Sequence, residues 1–257
     1  MTAAPSQALE EAKRPVNSAV LDDIGSGRVE RMDTEEILIW ALGNFHPKMA
    51  LSCSFGNPEG LVLLHMLARL EPGARVYMLD TGRLPEETHA LVDRVRDRYG
   101  VEVEVILPEA EAVQGMVRKH GQNLFYESLE KRQLCCNLRK VEPNKRYLAT
   151  LDAYVTGLRR DQNVTRTDTS KVEVVDGGLI KINPLADWSR DDVMKFVREN
   201  GVPINRLHQR GYPSVGCAPC SRAIQPGDDI RSGRWWWENP EDKECGLHVG
   251  EQQGSGI

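Results

Sequence analysis

The sequence predicts an α/β protein: a mostly parallel sheet with helices on both faces, followed by a C-terminal cysteine-bearing tail. Three observations predict it. Short apolar runs of strand length alternate with helix-period segments between residues 49 and 200. A hairpin-like pair of runs comes late, at 172–175 and 179–182, around Asp176-Gly177-Gly178. Beyond Pro203 periodicity fades into a stretch rich in Gly, Pro and Cys.

The elements follow in order. Residues 1–32 read as a loosely ordered N-terminal segment, because Pro5, Pro15, Gly25 and Gly27 break a weak periodicity. A helix starts at Asp33, which stands at capping-box spacing from Glu36, and Ile37, Trp40 and Ala41 give it an apolar stripe. Residues 49–54 read as a buried strand and 60–70 as an apolar helix. A second strand at 75–79 and a helix at 85–99, with Pro85 at its start, come next. Residues 101–107 alternate with period two and form a third strand. Helical patterns fill 110–149, with breaks near Gly121 and Pro143, before a fourth strand at 153–156. After the hairpin, a helix over 189–200 is capped by Ser189 and closes at Gly201, with Pro203 beyond it.

Composition narrows the function. A chain of 257 residues, 40% hydrophobic and 28% charged, buries a core without disulfides or metals. No run approaches the roughly 18 apolar residues of a membrane span. The N-terminus has no apolar core of a secretory signal, so a cytoplasmic location is expected, with no membrane partner. A net charge of −5 argues against nucleic acid as a partner, since that surface would be strongly basic. A local basic pocket for a small anion is compatible with it. Oligomeric state stays open, a homo-oligomer included.

In a parallel sheet, ligands bind beyond the C-terminal ends of the strands. Three loops fall there: Ser52 to Gly56, Leu79 to Gly82, and Thr156 to Arg160, which includes Gly157. Ser54 and Gly56 would let backbone N–H groups approach an anion at a helix N-terminus, or they make an ordinary tight turn. Asp80 and Gly82 would contact a base or ribose, or they simply end a strand.

The six cysteines are Cys53, Cys135, Cys136, Cys217, Cys220 and Cys245. Cys135-Cys136 and the Cys217-Ala218-Pro219-Cys220 pair suit a soft metal: an iron–sulfur cluster, or zinc. Adjacent cysteines diverge by about 100° on a helix, so both reach one cluster only where the backbone departs from the regular helix or at a helix end. Cys245 stands in Lys243-Glu244-Cys245-Gly246-Leu247-His248, where Lys243 and His248 favour a thiolate and Glu244 opposes it. Basic residues gather nearby. Arg139 and Lys140 follow the first pair, Arg159, Arg160 and Arg166 follow the fourth strand, and Arg231 and Arg234 precede Trp235-Trp236-Trp237. This clustering suggests a pocket for a multiply charged anion. The tryptophan triplet reads as core, a stacking platform or a docking surface, and its place near the tail favours one of the last two.

Together, the strings SCSFGNPEGLVLLHM, MLDTGRLPEET, CCNLRKVEP, YVTGLRRDQNVTR, KINPLADW, GYPSVGCAPCSR, RSGRWWWE and KECGLH resemble the assimilatory adenylyl-sulfate reductase family, the iron–sulfur branch of the adenylyl-sulfate and phosphoadenylyl-sulfate reductases. They cover roughly residues 48–248. The resemblance implies an adenine-nucleotide α-hydrolase-like fold. It implies a nucleotide-binding reductase domain with an iron–sulfur site over 33–225 and a mobile tail with the catalytic cysteine over 226–257. Adenosine 5′-phosphosulfate would be reduced to sulfite and AMP. Cys135, Cys136, Cys217 and Cys220 would ligate a 4Fe–4S cluster, and Cys245 would be the nucleophile. Thioredoxin or a similar dithiol would donate electrons. Lys140, Arg231 and Arg234 would neutralise the sulfonate, with Arg159 and Arg166 helping.

The loop SFGNPEG departs from the SGGxDS-type signature of the related ATP pyrophosphatases, which argues against ATP chemistry. A 3′-phosphorylated or dual substrate specificity stays open. So do two other classes: a structural zinc protein that binds a nucleotide without reducing it, and a nucleotide-binding redox sensor with Cys245 as its thiol.

Overall fold

A computed structural model of the chain describes residues 14–162 and 166–239. Six strands form one sheet: β1 (Met49–Ser52), β2 (Arg75–Leu79), β3 (Val103–Ile106), β4 (Ala153–Val155), β5 (Val172–Val175) and β6 (Leu179–Ile182). Their spatial order is β3-β2-β1-β4-β6-β5. All neighbours run parallel except β5 and β6, the hairpin that the sequence predicts. The chain moves outward from β1 to β3, then returns to place β4 on the other side of β1. This reversal opens a crevice beyond the C-terminal ends of β1 and β4.

The helices are α1 (Ser18–Gly25), α2 (Arg28–Arg31), α3 (Thr34–Phe45), α4 (Pro58–Leu70), α5 (Glu86–Tyr99), α6 (Ala110–His120), α7 (Leu129–Cys136), α8 (Glu142–Leu148) and α9 (Arg190–Asn200). Local chemistry sets their ends. Asp33 and Glu36 complete a capping box on α3, and Ser189 and Asp192 do so on α9. Gly201 closes α9 in the left-handed conformation.

Strand residues alternate between the two faces, as period two requires. Met49, Leu51, Val76 and Met78 join a large core with α3, α4, α5 and α9. Ala50 and Tyr77 point the other way, to Tyr147, Leu151 and Tyr154. The sheet is therefore covered on both faces, which explains the uncharged runs of the central strands β1 and β4. No helix among the described residues is long and apolar enough to cross a membrane.

The segment expected to be loosely ordered over 1–32 is helical over most of its described part. Val20 of α1 and Val29 of α2 are each 1% exposed within the main core. Trp40 Nε1 donates to Asp23 Oδ2 at 2.8 Å, and Glu30 accepts from the Lys171 backbone N–H at 2.6 Å. Each helix buries a single residue, too little to raise a periodic signal in the sequence. Residues 1–13, 163–165 and 240–257, and with them Cys245, lie outside the described residues.

Candidate active site

The loop after β1 begins at Cys53, whose thiol is buried and pushed up to about 12 by desolvation. Phe55 follows at φ 53, a left-handed conformation that is strained for a bulky residue. The fold holds it there: Phe55 is fully buried, and Asn205 Nδ2 donates to its carbonyl at 3.1 Å. The same Asn205 reaches Thr88 Oγ1 at 3.0 Å and accepts from the Leu207 N–H at 3.0 Å. Ser54 is exposed at this turn, and its Oγ accepts from the Gly56 N–H at 3.3 Å.

The loop after β4 meets this turn. A Cβ on Gly157 would lie 2.7 Å from Glu59 Cβ and 3.2 Å from Gly60 N, so only glycine lets the loop lie against the start of α4. Arg159 is 3% exposed and points into the contact, where Glu59 Oε1 accepts at 3.1 and 3.2 Å. Asp161 pairs with the same guanidinium. Gln162 Nε2 donates to Glu59 at 3.2 Å, and Arg166 Nη1 donates to Gln162 Oε1 at 2.5 Å. Ser54, Gly56, Gly157, Arg159 and Arg166 thus belong to one connected region at the crevice, with Arg159 already ion-paired within it.

The loop after β2 carries Asp80 and Gly82. Asp80 accepts from the Gly82 N–H at 2.8 Å and lies 3.0 Å from His89 Nε2. Between them Thr81 turns toward the cysteines: its hydroxyl is 3.2 Å from Cys217 Sγ, and its carbonyl accepts from Arg139 Nη1 at 2.7 Å.

Both cysteine pairs line one cavity, together with Thr81, Arg83, Phe125, Arg132, Arg139 and Lys140. Cys135 and Cys136 end α7, where the helix opens into a π-helical turn over Asn137–Val141 that carries Lys140. The helix runs on through this turn into α8, so the adjacent cysteines stand where the backbone departs from the regular helix rather than at a helix end. Cys217 and Cys220 flank a 3₁₀ turn over Ala218–Cys220, in which the Cys220 N–H donates to Cys217 O at 3.0 Å. That turn is tied to β2 through the Ala218 N–H and Arg83 O at 2.8 Å, and to the β1 loop through the Val215 N–H and Asn57 Oδ1 at 3.1 Å.

Burial pushes the Cys135 thiol up, and neighbouring Cys217 adds to this, while Arg139 and Arg83 oppose it. Burial also raises Cys220, reinforced by Cys217, Cys136 and Cys135 and opposed by Arg234. The buried Cys135 and Cys220 thiols thus resist ionising in this cavity, and a cationic centre that takes them as thiolates offsets that cost. The donor set therefore fits a soft metal centre. No group of three or more His, Cys, Asp or Glu among the described residues is gathered at ligating geometry, so the thiols line the cavity without forming a coordination sphere.

Residues 221–239 pack beside the cysteine pairs, with Trp235 in one apolar cluster with Cys135, Cys220 and Phe125. Ser221 and Arg234 form an isolated antiparallel bridge. Arg234 Nε donates to Cys220 O at 3.1 Å, and its guanidinium packs where a Gly216 side chain would lie. Arg231 stands one turn earlier, its carbonyl accepting from the Arg234 N–H at 2.9 Å. The tryptophan triplet divides. Trp235 is buried, 3% exposed, between the Arg132 and Arg234 guanidinium groups at 4.9 and 4.6 Å. Trp236 is exposed, and Trp237 packs edge-on to Tyr126. Trp235 is therefore core, against the expectation of a platform or docking surface for the triplet.

Sequence reasoning missed Arg132, its partner Glu238, and Asn205. Arg132 had a signal, since it stands three and four residues before the cysteine pair and so shares its helix face. Glu238 and Asn205 had none, because their partners are remote in sequence.

Residues 48–223 match the model of the phosphoadenosine phosphosulfate reductase domain family. The chain is 47% identical over 225 residues to an adenosine 5′-phosphosulfate reductase of Burkholderia cepacia, covering 87% of this chain and 88% of the other. It is 51% identical over 191 residues to the protein of that name from Allochromatium vinosum, covering 74% and 75%. Among solved structures, it resembles phosphoadenylyl-sulfate reductase from Candida auris in a phosphate complex. The TM-score is 0.68 at 29% identity, over 82% of this chain and 100% of that one.

Proposed function

The chain belongs to the phosphoadenosine phosphosulfate reductase family, and from that membership we propose that it is an oxidoreductase of sulfate assimilation that reduces adenosine 5′-phosphosulfate to sulfite and AMP. The observation that carries this reading is the convergence of Cys135, Cys136, Cys217 and Cys220 on one cavity beside the nucleotide crevice, in a chain about half identical to reductases of that substrate. These four cysteines would hold a 4Fe–4S cluster. When bound, it would supply an electrostatic centre next to Lys140 rather than a route for electrons.

The remaining chemistry falls to the chain. The loops at Ser54, Gly56 and Gly157 receive the nucleotide, with Arg166 beside them. The sulfonate sulfur is shielded by negatively charged oxygens, so an attacking thiolate is repelled until cations neutralise them. Lys140, Arg231 and Arg234 supply that charge. The Cys245 thiolate attacks the sulfur, the bond from sulfur to the bridging phosphate oxygen breaks, and AMP leaves. A thiosulfonate remains on Cys245. A dithiol donor such as thioredoxin then attacks the Cys245 sulfur, and sulfite departs. Its second thiol resolves the mixed disulfide and restores Cys245, so the donor supplies both electrons. A cytoplasmic setting, where dithiols stay reduced, suits this cycle.

The test is sulfite release by anaerobically purified protein with reduced thioredoxin. Adenosine 5′-phosphosulfate and its 3′-phosphorylated form are supplied separately, with Cys245→Ser as the control. Release from the first substrate, abolished in the variant, is the expected result. Comparable release from both means dual specificity. Release from neither, with the cluster intact, overturns the reading.

A further inference from the structure

A second cavity, of about 300 Å³, shares no lining residue with the cysteine cavity. Arg94 and Arg98 line it, four residues apart and so on one face of α5. Arg206 and Gln209, from the 3₁₀ turn over Arg206–Arg210, line it together with residues 201–204. Among the described residues no carboxylate lines it, although the chain carries a net charge of −5.

The carboxylates nearby are engaged by other cations. Asp93 and Asp97 face Arg96 at 3.6 and 3.9 Å, Glu87 pairs with Arg210 at 2.6 Å, and Glu199 faces Lys195 at 4.0 Å. Among the described residues Arg94 and Arg206 have no carboxylate partner. Arg98 donates to the Gly201 and Asn200 carbonyls at 2.5 and 3.1 Å, which satisfies the end of α9 but leaves the charge in place. The positive field reaches the interior: burial lowers the pKa of His65, and Arg69 and Arg98 lower it further.

Guanidinium groups suit phosphate, because their paired N–H donors match its oxygens. A phosphate group carries up to about two negative charges at neutral pH, so three guanidinium groups balance more than one phosphate. The volume stands at the lower end of small-molecule sites, which leaves room for more than a bare ion. We propose that this cavity is a binding site for an oligophosphate, a small molecule with two or more linked phosphate groups, separate from the nucleotide crevice. Arg94 and Arg206 hold the phosphates, Gln209 adds an amide donor, and Arg98 adds charge while it holds the end of α9.

The test titrates the anaerobically purified full chain with pyrophosphate by calorimetry, at constant ionic strength and with saturating AMP in the crevice. The variant combines Arg94→Ala and Arg206→Ala. Both side chains are exposed, so the fold is retained, and Arg98 is left in place because it caps α9. Pyrophosphate is expected to saturate one site, and the double variant to weaken it by about tenfold or more, as loss of charge-assisted hydrogen bonds requires. AMP affinity stays within about twofold, because the two sites are separate. Inorganic phosphate binds more weakly than pyrophosphate by about tenfold or more. Absence of saturable pyrophosphate binding to the unaltered protein overturns the proposal. So does a double variant that keeps its pyrophosphate affinity, since the anion then sits elsewhere. Inorganic phosphate binding as tightly as pyrophosphate overturns it as well, because the arginines would then form only a general anion patch.

Discussion

The Thr81 hydroxyl stands 3.2 Å from the Cys217 thiol, so the loop after β2 and the second cysteine pair share a hydrogen bond 136 residues apart in sequence. The Thr81 carbonyl at the same time accepts from Arg139, three residues after Cys136. One residue thus ties both cysteine segments to the sheet. Thr81→Val keeps the shape and removes the hydroxyl, which also accepts from the Arg83 N–H at 3.3 Å. A loss of about 1–2 kcal/mol is expected, read as a lower urea midpoint.

Lys140 lines the cysteine cavity from a π-helical turn, an irregular geometry that recurs at functional sites. Lys140→Ala is expected to slow thiosulfonate formation by about 10²–10³-fold, the magnitude of a lost charge-stabilising donor. The visible absorbance of the proposed iron–sulfur centre should survive in this variant. Its loss would assign the lysine to holding the cavity together instead.

Asn205 is fully buried and satisfies three partners around the strained Phe55 turn. Asn205→Ala leaves them unpaired and is expected to cost about 2–4 kcal/mol. AMP affinity should fall as well, because the turn proposed to receive the nucleotide loses its brace. Calorimetric titration checks this, and an unchanged affinity would separate the turn from nucleotide binding.

Two histidines make stability depend on pH. Burial lowers the pKa of His65, with Arg69 and Arg98 adding to it, and burial lowers that of His208 against its hydrogen bond to Tyr212 O. Both native-state values lie below the ordinary 6.5. As pH falls through 6.5, the unfolded chain therefore binds more protons than the native one, and stability drops. The carboxylates with lowered pKa, Asp23, Glu104, Glu130 and Asp192, act in the same direction only at lower pH, near their ordinary values of 3.8 and 4.5. Urea midpoints should thus decline between about pH 7 and pH 5, and His208→Gln should flatten that decline.

Much of this was legible from local pattern. The Asp33–Glu36 and Ser189–Asp192 spacings are the observed capping boxes, and the 172–175 and 179–182 runs are β5 and β6. The two cysteine pairs stood out because residue type and spacing are themselves the signal. The short helices at 18–31 give little periodic signal, since each buries one valine. The burial of Trp235 is not legible in the sequence, because nothing local marks the two arginines that pack on it.

Sequence alone determined the order of strands and helices and the chemistry available to the site, because periodicity, caps and thiol spacing act over a few residues. Tertiary structure decided which of those pieces meet. The return from β3 to β4 sets Gly157 against Glu59 and opens the crevice. Desolvation then makes Arg132 find a carboxylate, and the one it finds is Glu238, 106 residues away. Buried charges choose partners by position in space, and no local pattern encodes that position.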